Sequence, residues 1–216
     1  MTSDVFSRLG ELKLIPVVAI EDASAAAPMG QALAAGGLPC VEITFRTAAA
    51  ASAISALAKQ PNLLVGAGTV LTIENVKIAV DNGAKFIVTP GFSPKVVSYC
   101  IEHKIPITPG TLTPTEITMA LEHGLGCVKF FPCESIGGIK TLKAIAAPFA
   151  MMKFIPTGGI TPETLGAYLE FKQVLACGGS WMVSKELLAG RQFDRITELA
   201  RKAVDLANSI RPGGKS

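Results

Sequence analysis

Histidine is scarce, with two residues in 216, and the five cysteines (Cys40, Cys100, Cys127, Cys133, Cys177) are odd in number and lack CxxC spacing. That pattern argues against a zinc site and against a disulfide framework, and it fits a reducing cytoplasm. Aromatic residues are 6% of the chain, with one Trp and two Tyr, too few for a base-stacking platform. An excess of one charge is missing too: 20 Lys+Arg against 17 Asp+Glu give +3, evenly spread, with no basic arm to hold nucleic acid. The longest uncharged stretch, 23–41, is mostly Ala, Gly, Pro, Ser and Gln, too weakly apolar for a membrane span. The opening MTSDVFSRLGEL carries Asp4 and no apolar core, so it reads as a short helix and not as a signal peptide.

What is present is 49% hydrophobic residues against 17% charged, drawn from Ala, Val, Leu and Ile, as in proteins with buried parallel strands. Runs rich in Val, Ile, Phe and Thr recur at 14–20, 39–45, 63–69, 85–90, 105–110, 126–131, 152–159 and 174–180. Helical patterning fills the gaps, at 26–35, 49–59, 73–82, 94–103, 114–123, 139–147 and 162–171, with a last helix over 193–207. Ser93-Pro94, Thr113-Pro114 and Thr161-Pro162 each set a capping hydroxyl before a proline at the first helical position. Gly36-Gly37, Gly83 and Gly124 stand where helices should stop, and RPGGKS (211–216) reads as a frayed tail. Eight strand–helix units with no long insertion predict a compact (β/α)8 barrel with an N-terminal helix, one domain over 1–216. An open doubly wound sheet is the alternative, but EDAS follows the first strand where a glycine-rich turn is expected.

The strand ends share a second regularity. Gly66-Ala67-Gly68-Thr69, Thr89-Pro90-Gly91, Thr108-Pro109-Gly110, Pro156-Thr157-Gly158-Gly159 and Gly178-Gly179-Ser180 all fall where a strand enters its loop. Small residues at that mouth let a ligand approach the backbone closely. The pairs after strands seven and eight fall where barrels commonly bind phosphate.

Two charged residues sit inside apolar strands. Lys129, in CVKFFP, shares a strand face with Phe131, and burial disfavours its ammonium, so its amine can attack a ketone and form an iminium. The bland reading is a lysine that reaches solvent or pairs with Glu134. Glu42, in VEITF, is a buried carboxylate that can move protons beside such a lysine, or else an internal ion-pair partner of Arg46 or Lys129. Arg46, at the strand mouth, offers a fork for a carboxylate. His103 and His123 sit at helix ends, where the helix dipole explains them, and Cys127 and Cys133 are read as packing residues. No clustered ligands predict a metal.

The motifs VEITFRT (41–47), VGAGTV (65–70), VTPG (88–91), VKFFPCE (128–134), PTGGI (156–160) and GGSW (178–181) resemble, in order and spacing, those of the 2-keto-3-deoxy-6-phosphogluconate (KDPG) and 4-hydroxy-2-oxoglutarate (KHG) aldolases. The resemblance covers nearly the whole chain. It implies a metal-independent, cofactor-free class I aldolase of the Entner-Doudoroff pathway, typically a homotrimer. Its substrates would be small: a phosphorylated 2-keto-3-deoxy sugar acid, and pyruvate in reverse. Lys129 would form the Schiff base and Glu42 would be the acid/base. Arg46, Thr69, Pro90 and Phe131 would surround the pyruvate moiety, and Gly158, Gly159, Gly179 and Ser180 would bind phosphate. Ala19 departs from the family, some members of which carry a basic residue there. The alternatives are a galactonate-epimer aldolase, a sugar-phosphate epimerase and a non-catalytic phosphate-binding barrel.

Overall fold

The computed structural model describes residues 2–212. All eight apolar runs contain strand. The strands are β1 Leu14–Val18, β2 Cys40–Thr44, β3 Leu64–Gly68, β4 Phe86–Val88, β5 Ile107–Thr108, β6 Gly110–Thr111, β7 Cys127–Phe130, β8 Lys153–Pro156 and β9 Cys177–Gly179. The helices are α1 Thr2–Leu12, α2 Ala26–Ala35, α3 Ala50–Ala58, α4 Ile73–Asp81, α5 Pro94–Glu102, α6 Pro114–Glu122, α7 Gly138–Ala146, α8 Pro162–Leu169, α9 Lys185–Ala189 and α10 Phe193–Ile210.

Every pairing is parallel, as strands alternating with helices require. Six strands form one sheet in the order β5-β4-β3-β2-β1-β9, and three form another in the order β6-β7-β8. The fold is thus α/β with a curled parallel sheet, and the expected eight-strand barrel is met in part. The fifth apolar run is interrupted at Pro109, which has no N–H to donate, so its halves β5 and β6 join different sheets. Between β8 and β9 only the isolated bridges Phe154↔Val174 and Thr157↔Gly178 occur.

Burial separates an outer layer from an interior. The larger apolar cluster joins the sheets to the helices, with α10 laid against α2 and α8. The smaller gathers Leu9 of α1 with Ile15, Cys40, Phe86, Val88, Cys127, Ile155 and Ala176, drawn from both sheets. Because strand side chains alternate, Glu42, Gly66, Thr108, Lys129, Thr157 and Gly178 share that inner face. Its lower part is therefore apolar and stopped by Leu9, while its polar groups lie nearer the strands' C-terminal ends.

The helix boundaries follow local chemistry, with one correction. Proline opens α5, α6 and α8 as expected, and Thr113 and Thr161 each accept from the third helical amide as one half of a capping box. Glu116 reaches back as the other half, its carboxylate accepting from the Thr113 amide at 2.7 Å and from the Thr113 hydroxyl. The Thr164 hydroxyl likewise accepts from the Thr161 amide at 3.0 Å, and Ser93 makes no side-chain cap. The helix stops hold: Gly37, Gly83 and Gly124 have φ of +83°, +103° and +73°, conformations that favour glycine. Of the expected frayed tail, Arg211 is anchored, donating from Nε to the Leu169 carbonyl at 2.9 Å, and 213–216 lie outside the described residues. Among the described residues no helix is long and apolar enough to cross a membrane.

Gly66 shows how tightly the interior is fitted: a side chain there would fall on the Phe86 ring, its neighbour in the β3–β4 register. Gly66→Ala should therefore lose about 1–3 kcal/mol in urea unfolding, and Phe86→Leu in the same chain should recover part of it. Losses that simply add would show that the two positions do not meet.

Candidate active site

Glu42 lies at the centre of β2, paired in register with Val17 on one side and Gly66 on the other. It is 3% exposed, and its Oε1 is buried with no hydrogen-bond partner. A carboxylate in such a place needs room, and Gly68 supplies it: a side chain on Gly68 would begin 2.6 Å from the Glu42 carboxyl carbon. Burial pushes the Glu42 carboxyl above the usual range, while the nearby Lys129 and Arg46 charges pull the other way without cancelling it. A carboxyl that holds its proton more firmly than usual, next to cations, is suited to acid/base work near neutral pH.

Lys129 projects from β7 into the same interior and is 5% exposed. Its strand is clamped on both sides, with Gly110 of β6 and Ile155 of β8 as register partners. Nζ lies 4.6 Å from the centre of the Phe131 ring, two residues along the same face. The alternative pairing with Glu134 is not among the ion pairs of the described residues, and the Glu134 carboxylate accepts from the Tyr168 hydroxyl. Among the described residues the ion pairs are Arg8–Glu11, Lys185–Glu21, Arg191–Asp22 and Glu198 with Arg195 and Lys202, and neither Lys129 nor Arg46 belongs to one.

At the rim, Arg46 is exposed but held: its Nε donates to Thr44 Oγ1 at 3.1 Å, and that hydroxyl donates to the Val18 carbonyl at 3.1 Å. Thr69 has φ +55°, which costs energy for a β-branched residue and persists only where neighbours enforce it. Here Gly68 accepts from the Phe45 amide at 2.8 Å, and the Val70 amide donates to Val88 at 3.2 Å. Pro90 is half-buried, and its carbonyl lies against Gly110, the register partner of Lys129.

The glycine turns lie on the same side. Gly158 and Gly159 have φ of +104° and +85°, and a side chain on Gly158 would begin 3.3 Å from the Phe131 ring. Gly179 lies under the Trp181 ring, and Gly178 against the Thr157 side chain. The structure thus brings together Glu42, Lys129, Phe131 and the Gly158 turn, with Arg46, Thr69 and Pro90 around them. Ser180 is exposed, just beyond the end of β9. Cys127 and Cys133 are packing residues as expected: both are buried, and burial pushes the Cys127 thiol up to about 12. Among the described residues no three His, Cys, Asp or Glu side chains gather as metal ligands.

Several contributors escaped the sequence reading. In sequence Gly68 is one of many mouth glycines, yet its bare face seats the carboxylate. Thr44, which holds Arg46, and the inward-facing Thr108, whose Oγ1 is buried without a partner, were signalled only by strand alternation. Tyr168, buried on α8, had no sequence signal as the partner of Glu134.

The raised Glu42 value fixes the sign of a pH effect on stability. The native state binds this proton more tightly than the unfolded chain does, so the contribution is present at low pH. It is lost as pH rises from the ordinary glutamate range through the raised value. Glu42→Gln should thus melt at a higher temperature than the parent at pH 8, with the gain shrinking toward pH 4. A gain equal at both pH values would contradict the buried-acid assignment.

Comparison with known proteins gives the family. A family model described as KDPG and KHG aldolase matches residues 5–199. The 2-dehydro-3-deoxy-phosphogluconate aldolase of Haemophilus influenzae is 45% identical over 95% of this chain and 97% of its own. The KHG/KDPG aldolase of Escherichia coli is 43% identical over 89% of this chain and 91% of its own. Among solved structures, KDPG aldolase from Legionella pneumophila, with pyruvate captured at low pH as a covalent carbinolamine intermediate, superposes with a TM-score of 0.89. It is 36% identical, over 94% of this chain and 98% of that one. The chain belongs to the KDPG and KHG aldolase family.

Proposed function

We propose that this protein is a class I aldolase, a carbon–carbon lyase that reversibly cleaves 2-keto-3-deoxy-6-phosphogluconate to pyruvate and glyceraldehyde 3-phosphate and also takes 4-hydroxy-2-oxoglutarate. The observation that carries the reading is a buried lysine sharing one interior with a buried carboxylate whose Oε1 has no partner.

The chemistry follows from the two groups. The Lys129 amine adds to the C2 ketone to give a carbinolamine, and Glu42 passes the proton that lets water leave. The resulting iminium accepts the electrons of the C3–C4 bond while the C4 hydroxyl gives up its proton, and the aldehyde departs. Protonation of the enamine at C3, then addition of water and release of the amine, yields pyruvate. The iminium is the electron sink, so the scheme calls for no cofactor or metal. Arg46 and Thr69 hold the substrate carboxylate, Pro90 and Phe131 wall the pyruvate end, and Gly158, Gly159, Gly179 and Ser180 take the phosphate. The positive-φ turn at Gly158-Gly159 leading into α8, on the Lys129 side of the fold, supports the last assignment.

The same reading takes the two sheets as one closed eight-strand barrel in a single domain over 1–216. The β8–β9 bridges, the β9–β1 pairing and an interior cluster drawn from both sheets support it. It also takes the enzyme as a homotrimer in the cytoplasm, a compartment that suits five free, buried cysteines.

Borohydride reduction with pyruvate should leave a pyruvate-derived adduct on the peptide carrying Lys129, and none in Lys129→Ala. A folded protein that forms no adduct would overturn the nucleophile. Glu42→Gln should lower kcat for KDPG cleavage by about 10²–10⁴-fold in a coupled pyruvate assay.

A further inference from the structure

Five residues beyond Lys129, Glu134 meets the glycine turn from behind. Its amide donates to the Gly158 carbonyl at 3.0 Å, and the preceding Cys133 donates from its amide to Thr157 at 2.9 Å and from Sγ to Gly158 at 3.2 Å. Gly159 packs directly on the same residue: a side chain there would begin 2.7 Å from Glu134 Cβ. The backbone after β7 therefore fixes one flank of the turn.

The Glu134 side chain reaches the other flank. Its carboxylate accepts from the hydroxyl of Tyr168, which is fully buried on α8, the helix that the turn itself opens. Room for this bond comes from Gly138, where a side chain would begin 3.1 Å from Glu134 Oε1 and 3.2 Å from the Tyr168 oxygen. Burial and the adjacent carboxylate raise the phenol above the usual tyrosine range, so it keeps the proton it donates. A carboxylate this close to an anion-binding turn opposes the anion, and no cation offsets it in the ion pairs among the described residues. Attraction does not account for its presence, whereas its position between turn and helix does.

We infer that Glu134 and Tyr168 are positioning residues, a tether that sets the Gly158-Gly159 turn for the phosphate and so decides how well phosphorylated substrates are held. The inference rests on the phosphate assignment proposed above. Neither residue takes part in the chemistry at Lys129.

Kinetics on Tyr168→Phe, Glu134→Ala and Glu134→Gln would test it, with a melting curve confirming that each is folded. Tyr168→Phe and Glu134→Ala should raise KM for KDPG, and the inhibition constant of inorganic phosphate, by about tenfold. The rate of pyruvate trapping by borohydride on Lys129 should stay within about twofold, because pyruvate has no phosphate. Glu134→Gln keeps an acceptor oxygen for Tyr168 and should restore both constants. Parent-like KM and phosphate inhibition in Tyr168→Phe and Glu134→Ala would overturn the tether, as would an equal loss in pyruvate trapping. A parent enzyme that inorganic phosphate does not inhibit would instead overturn the phosphate assignment itself.

Discussion

The cost of holding Glu42 and Lys129 out of water is the constraint on which the rest of this fold depends. An ion removed from water loses several kcal/mol even after the protein relaxes, and close pairing is the usual remedy. Here the remedy is partial: the cations lower the cost of the Glu42 anion, but its Oε1 is left without a hydrogen bond. A fully bonded carboxylate would be more comfortable and less able to exchange protons. The apolar residues beneath, from Leu9 to Ile155, supply the burial that offsets the discomfort.

Glycine does the spatial work around these charges. Gly66 yields its inner face to Phe86 and Gly68 to the Glu42 carboxylate, while Gly110 accepts the Pro90 carbonyl and Gly178 the Thr157 side chain. In each case a small residue on one strand makes room for a group from another part of the chain. The glycine-rich strand ends are thus a packing solution as much as a set of turns, and they explain how a site can be crowded with backbone and still admit a ligand.

Much of this was legible in the sequence. The eight apolar runs marked strands because parallel strands buried on both faces need unbroken Val, Ile and Phe, and α2 fell on 26–35 as expected because glycine stops a helix locally. Lys129 and Glu42 stood out because charge inside such runs is anomalous. What the sequence hid was set by distance or strain. Glu134 finds Tyr168 34 residues away, and nothing local announces it. Thr69 adopts a conformation that its side chain disfavours, so propensity points the wrong way. The five-residue α9, Lys185–Ala189, is too short to show periodicity. The break at Pro109 lies inside a run that reads as one strand, and only the pairing of its neighbours divides it between two sheets.

Leu9 and its apolar neighbours stop the interior at one end, so whatever reaches Lys129 enters and leaves past the rim that carries Arg46 and the glycine turns. A chamber with one door imposes an order on its contents. Under the mechanism proposed above, the fragment bonded to Lys129 sits deepest and leaves last, after the fragment nearer the rim has cleared the way. In the synthetic direction the queue reverses: the keto acid must arrive first, and an aldehyde that enters ahead of it only blocks the passage.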